Sequence, residues 1–230
     1  MFTSLSCRMF DRENEDYVNF RSLLRHPGFK RLDLAINIAG QNLTDNDEDS
    51  YTSLKSNLLC RALSEAQELE HFSFRATTLP FSGIHPNDPT PFSLMGLFPI
   101  QKWTRLRHFG LSRYLVDEDD LVSLLQSLPS TIRSVELSFL SFHGGGTWYS
   151  VLQKMRSKLD WKRREFPPKL VIGADLRPPL PFLGVGLEAE VEAYLYGNGR
   201  MPFYGTEPPT KPYGIPAING HTVFVYMGVC

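Results

Sequence analysis

Residues 121–139 read LVSLLQSLPSTIRSVELSF, and the reading of this stretch decides the fold. Leu121, Leu124, Leu125 and Leu128 recur at the spacing of one helix face. Pro129 stops that helix, because proline has no amide hydrogen to donate and its ring clashes with the preceding turn. The chain then enters a short strand that turns Ile132, Val135 and Leu137 the same way. A helix and a strand joined by one turn cannot bury their apolar faces alone, so neighbouring units must cover them. The same order recurs in looser form along most of the chain, which predicts stacked α/β repeats.

On the N-terminal side, residues 1–16 carry little pattern. A helix period starts at Tyr17, with Phe20, Leu23 and Leu24 on one face and His26-Pro27-Gly28 as its end. The strand that follows places Phe29, Leu32 and Leu34 on one side and Arg31, Asp33 and Ala35 on the other. A second unit covers residues 51–76, with Leu54, Leu58 and Ala62 at helical spacing and Leu69, Phe72 and Phe74 in its strand. A third is short, Trp103 and Leu106 leading into a strand with Phe109 and Leu111. Beyond the opening stretch, Trp148, Val151, Leu152, Met155 and Leu159 form the cleanest amphipathic series of the chain. Pro167-Pro168 then introduces a last strand with Leu170 and Ile172 inward.

The expected architecture is therefore α/β: a short right-handed solenoid with a parallel sheet over residues 1–175, since parallel strands joined by helices cross over right-handedly. Pro80, Pro86, Pro89 and Pro91 mark residues 77–98 as an insertion loop. Eight of the 17 prolines and eight of the 17 glycines fall in residues 176–230, which read as a non-repeating C-terminal cap. Helical periodicity returns there only around residues 187–195, and residues 222–229 (TVFVYMGV) have strand propensity.

Composition narrows the function classes. The 230 residues carry a net charge of −1, which argues against bulk electrostatic binding of nucleic acid. No apolar run is long enough to span a membrane, and the N-terminus lacks the apolar core of a secretory signal. Three scattered cysteines (Cys7, Cys60, Cys230) fit a reducing compartment, so an intracellular location, cytoplasmic or nuclear, is expected. Asn42-Leu43-Thr44 is then an incidental sequon.

Few residues suggest chemistry. The acidic run from Asp45 to Asp49 lacks the spacing and central glycine of a calcium loop. Asp117, Glu118, Asp119 and Asp120 point to different faces of a helix start and serve as caps rather than metal ligands. Gly144-Gly145-Gly146-Thr147 lacks the lysine of a phosphate-binding loop. No nucleophile elbow or H-E-x-x-H pair occurs. The reading assigns no catalytic residue, metal ligand or cofactor, and expects a protein that is not an enzyme.

The segment LRHFGLSRYLVDEDDLVSLLQSLPSTIRSVELSFLSFHGGGTW (106–148), with MRSKLDW (155–161) soon after, resembles the leucine-rich-repeat-like region of F-box proteins from filamentous fungi. EVEAYLYGNGRMPFYG (190–205) resembles the segment that follows the repeats in such proteins. The resemblance spans roughly residues 17–205 and is carried most by 106–161. It implies a leucine-rich-repeat-like fold and the substrate-recognition half of a ubiquitin-ligase receptor. Residues 1–28 are too short for an F-box and lack its Leu-Pro opening, so the expectation is a fragment or an F-box-less relative that recognises a protein partner.

In such a fold the strand residues that avoid the core line the concave face, in three columns. Arg31, His71, His108, Ser134 and Lys169 form the first, Asp33, Ser73, Gly110, Glu136 and Val171 the second, and Ala35, Arg75, Ser112, Ser138 and Gly173 the third. The candidate binding residues are Arg31, Asp33, His71, Ser73, Arg75, His108, Ser112, Ser134, Glu136 and Ser138. The first column, basic or imidazole-bearing for much of its length, suits an acidic or phosphorylated segment. Two alternatives remain. One is a hydrolase-like enzyme with its site in the C-terminal region. The other is a phosphate or nucleic-acid binder using the basic face of residues 154–164 (Lys154, Arg156, Lys158, Lys162, Arg163, Arg164).

Overall fold

The computed structural model describes residues 2–6, 14–37, 57–76, 93–173, 187–203, 214–218 and 221–224. The readings of residues 45–49, the sequon, Cys7, Leu54, Cys230 and most of the insertion lie outside these residues.

Six strands form one sheet: β1 (Phe2–Ser6), β2 (Arg31–Asn37), β3 (His71–Ala76), β4 (His108–Ser112), β6 (Ser134–Ser138) and β8 (Lys169–Gly173). They lie side by side in chain order, and every neighbouring pair is parallel. Two-residue strands β5 (Leu115–Val116) and β7 (Ser141–Phe142) pair beside the main sheet, and β9 (Gly214–Ile218) pairs with β10 (His221–Phe224) antiparallel. The described helices are α1 (Glu15–Leu24), α2 (Leu58–Leu63), α3 (Leu94–Leu97), α4 (Glu118–Ser127), α5 (Trp148–Lys158) and α6 (Leu187–Tyr196). Each packs on the next in chain order, so the chain is a mixed α/β fold with a helical layer beside a parallel sheet.

Burial follows the alternation. Leu32, Leu34, Phe72, Phe74, Phe109, Leu111, Val135, Leu137, Leu170 and Ile172 face the helices and belong to one continuous core. The opening stretch behaves as its pattern dictates: Leu121, Leu124, Leu125, Leu128, Ile132, Val135 and Leu137 are all buried. Asp117 caps α4 by accepting hydrogen bonds from the amides of Asp119 (2.9 Å) and Asp120 (3.1 Å). Asp120 in turn accepts from Leu94 N and Ser93 Oγ at the start of α3. The acidic run is therefore spent on two helix starts and, through Glu118 and Asp119, on Lys154 of α5.

Three expectations are corrected. Residues 1–16 contain a strand, β1, whose register sets Thr3 beside Leu34 and Leu5 beside Ile36. The last residues of the expected insertion are core: Leu94 and Phe98 are buried, because the short α3 and the turn at Ile100–Lys102 take the place of a full helix under β4. The helical period around residues 187–195 is α6, which joins the layer: Val191, Tyr194 and Leu195 are buried, and α6 packs on β8 and α5. β2 also starts only at Arg31, leaving Phe29 half-buried before it.

One detail repeats between units. β4 and β6 each end in a residue with left-handed backbone, Arg113 (φ 54°) and Phe139 (φ 56°). Each is followed by a buried residue, Tyr114 or Leu140, and then by a two-residue strand. Side chains rarely adopt this conformation. Here the amides of Arg113 and Phe139 each extend the ladder, donating to Ser138 O and Gly173 O.

Candidate functional site

The face of the sheet opposite the helices carries the side chains left over by the alternation. The register aligns all three expected columns: Arg31 beside His71, His108, Ser134 and Lys169; Asp33 beside Ser73, Gly110, Glu136 and Val171; Ala35 beside Arg75, Ser112, Ser138 and Gly173. All ten candidate residues therefore share one face of the sheet, on which Asp33 and Ser138 are buried.

Their contacts divide them. Arg31 Nε donates to Asp33 Oδ2 at 2.8 Å, two residues along one strand and so on one side of it. His71 and His108 lie face to face, with ring centroids 4.1 Å apart and planes 7° from parallel. His71 Nε2 lies 3.3 Å from both Asp33 Oδ1 and Ser73 Oγ. Ser73 Oγ is also 3.4 Å from His108 Nε2, and His108 Nδ1 is 2.8 Å from Ser134 Oγ. One proton assignment is compatible with these contacts, the single Nε2 hydrogen of His71 being shared between Asp33 and Ser73. An ionised Asp33 accepts only, so His71 carries its proton on Nε2; Ser73 then donates to His108 Nε2, and His108 Nδ1 donates to Ser134.

The electrostatics agree. Burial, then the charge of Arg31, lowers His71 against the pull of Asp33. Burial, then His71, pushes His108 down to about 4. Burial alone would raise the Asp33 carboxyl, but the hydrogen bond and charge of Arg31, with His71, hold it below its ordinary value. The network holds a carboxylate and two neutral rings near neutral pH.

These contacts revise the basic character expected of the first column. Arg31 is neutralised by Asp33 and Lys169 by Glu188 (2.9 Å), while both imidazoles are uncharged. Arg75 is exposed and without a counterion among the described residues, and Glu136 is exposed, accepting from Ser138 Oγ at 3.0 Å. Ser112 Oγ is buried without a hydrogen-bond partner. Among the described residues, the charges of the face without a counterion are thus Arg75 and Glu136.

Two parallel rings cannot both aim an in-plane lone pair at one ion. Among the described residues, no group of three or more His, Cys, Asp or Glu side chains is set to hold a metal. The basic helix is also divided: Lys154 and Lys158 pair with Asp119, Arg164 pairs with Asp160, and Arg156 lies over the Tyr194 ring.

Gly110 makes the imidazole stack possible. A Cβ there would come within 2.8 Å of Ser73 Oγ and 3.3 Å of His108 Nε2. Gly110→Ala is expected to rotate Ser73 out of the network and cost about 1 kcal/mol. Urea denaturation of the variant checks this; a midpoint equal to that of the wild type refutes it.

The described helices include none long and apolar enough to cross a membrane. Comparison of the chain with protein-family models, with curated proteins and with solved structures gave no match.

Proposed function

We propose that this chain is a leucine-rich-repeat-like solenoid that binds a protein partner on the helix-free face of its sheet, as the recognition part of an F-box-type ubiquitin-ligase receptor or of an F-box-less relative. The single observation that carries the binding reading is a polar sheet face that none of the described helices covers. Five parallel strands in chain order build it, and a hydrogen-bonded network braces it between two opposite charges that lack a counterion among the described residues, Arg75 and Glu136. A prearranged surface lowers the ordering cost of association. The repeated strand, left-handed residue and short strand around Arg113 and Phe139 support the solenoid, and the resemblance of residues 106–161 supports the receptor assignment.

A non-enzymatic reading is favoured over acyl transfer. Ser73, His108 and Ser134 do follow the order nucleophile, base, orienting group. Yet an imidazole at about 4 is a weak base near neutral pH, and the neighbouring amides of β3 and β4 are tied into the ladder rather than free to stabilise an oxyanion.

The test is affinity enrichment from filamentous-fungal extract with wild-type protein and with a variant carrying Arg75→Glu and Glu136→Lys. These exposed substitutions should leave the melting temperature within about 2 °C. Proteins recovered by the wild type are expected to be lost by the variant. Equal recovery, or labelling of Ser73 by a fluorophosphonate probe, would overturn the reading.

A further inference from the structure

The loops that enter β4, β6 and β8 present a second surface, at the N-terminal ends of the strands. Side-chain and backbone bonds clip these loops together. Thr131 Oγ1 donates to Thr104 O (3.1 Å) and Leu106 O (2.8 Å), Arg133 N donates to Arg107 O (2.7 Å), and Arg164 Nη1 donates to Pro129 O (3.3 Å). Trp161, buried, anchors the third loop. The clipped loops bring together cations distant in sequence: Arg105 and Arg107, Arg133, and Lys162 and Arg163, all exposed. Arg107 shares Glu70 at a loose 3.8 Å, while Lys30 holds that carboxylate at 2.8 Å. Among the described residues Arg133 donates to the backbone carbonyls of Ser130 and Ile132, Lys162 and Arg163 have no ion pair, and Arg105 acts on Glu70 through its charge without a close ion pair. Phe166 lies among them, 56% exposed, with the Arg133 guanidinium 5.3 Å from its ring centroid.

We infer that this ridge is a docking site for a short acidic peptide segment of a partner protein, with an apolar side chain of that segment packed on Phe166. Charge complementarity decides the sign of the occupant. Arg107 and Arg133 immediately precede the paired residues His108 and Ser134 of adjacent strands, which lie about 4.8 Å apart, and among the described residues of these loops the carboxylates Glu70, Asp160 and Glu165 are fewer than the cations. A long polyanion suits the ridge less. Its charge would run past the ridge onto a molecule of net charge −1, whereas a short segment is confined to the cations. A large exposed phenyl beside arginine is what an interface uses as an anchor. The ridge is distinct from the helix-free face and stands independently of the function proposed for it.

The test is fluorescence anisotropy with three labelled probes: an eight-residue peptide alternating Glu and Ala and ending in Trp, its Gln-for-Glu counterpart, and an eight-nucleotide oligothymidylate. The expected result is binding of the acidic peptide alone, weakened about tenfold by Arg133→Glu with Arg163→Glu and by raising salt from 50 to 300 mM. Phe166→Ala should weaken it several-fold, and Arg75→Glu with Glu136→Lys should leave it unchanged. Near-equal melting temperatures establish that the variants fold. The inference is overturned if the acidic peptide does not bind, if charge reversal leaves its affinity unaltered, or if the oligothymidylate binds more tightly.

Discussion

Phe72→Ala is expected to destabilise the fold by about 3–5 kcal/mol, a loss of about a fifth or more of the stability of an ordinary domain. Phe72 is fully buried on β3, at the centre of an aromatic cluster drawn from three chain segments. Its ring centroid lies 4.7 Å from that of Trp103, 5.3 Å from Phe98 and 6.0 Å from Phe109, and Phe98 also meets Phe74 edge-on at 5.2 Å. Removing the ring loses its transfer free energy and leaves a cavity whose walls are large rigid rings, which relax poorly. Trp103 is further pinned by its indole nitrogen, which donates to Leu63 O at 3.1 Å. Urea denaturation measures the loss, and Tm should fall by about 10 °C. The exposed Phe166 is the control, since Phe166→Ala should change stability by no more than about 0.5 kcal/mol. A loss below 1 kcal/mol at Phe72 would show that this cluster does not organise the core.

That cluster holds both what the sequence makes readable, Phe72, Phe74 and Phe109 on their strands, and what it hides, Phe98. Burial imposes the periods 3.6 and 2, so residues that must face the core reveal themselves wherever an element is long enough to repeat. The stretch 121–137 has that length, and every apolar position read from it is buried. α3 spans Leu94–Leu97, barely one turn, and no period is visible in four residues. The prolines around it pointed to a loop, although Leu94 and Phe98 fill the core under β4. β1 was hidden for another reason: an edge strand of five residues is placed by the open edge of β2, not by its own alternation.

The three columns of the open face were legible because parallel strands in register preserve the alternation from one to the next. The charge state of that face was not. Arg31 with Asp33, and Glu136 with Ser138, stand two residues apart on one strand, which suffices to suspect each pair. Lys169 meets Glu188, and Lys154 meets Glu118, only because helices stack in chain order beside the sheet. The basic ridge of Arg105, Arg133 and Arg163 is likewise invisible in one dimension, since each cation comes from a different unit. A lone charge in a sequence carries little information until its neighbours across strands are known.

Lowering the pH from 7 to 5 is expected to destabilise the protein by about 1–2 kcal/mol through the imidazole pair. His108 titrates near 4 in the fold against an ordinary value of 6.5, and His71 is lowered in the same direction. A depressed histidine binds fewer protons folded than unfolded. The stability it contributes is therefore complete above about 6.5 and is lost as pH falls toward its folded value. His108 faces His71 from β3, Arg31 and Asp33 from β2 and Glu136 from β6. The two carboxylates favour its protonation, but burial and the cationic neighbours outweigh them. Carboxylates held low by their partners act in a different window. Glu65, lowered to about 2 chiefly by its hydrogen bonds to Arg25 and Arg21, loses its contribution only below its ordinary value of 4.5. The interval from pH 5 to 7 thus isolates the histidines. Urea midpoints measured across it should fall with pH in the wild type and much less in His108→Asn, whose amide replaces the ring hydrogen bonds without titrating there. A wild-type stability that stays flat between pH 7 and 5, or an equal fall in the variant, would mean that the stacked rings are not the buried neutral pair that their geometry implies.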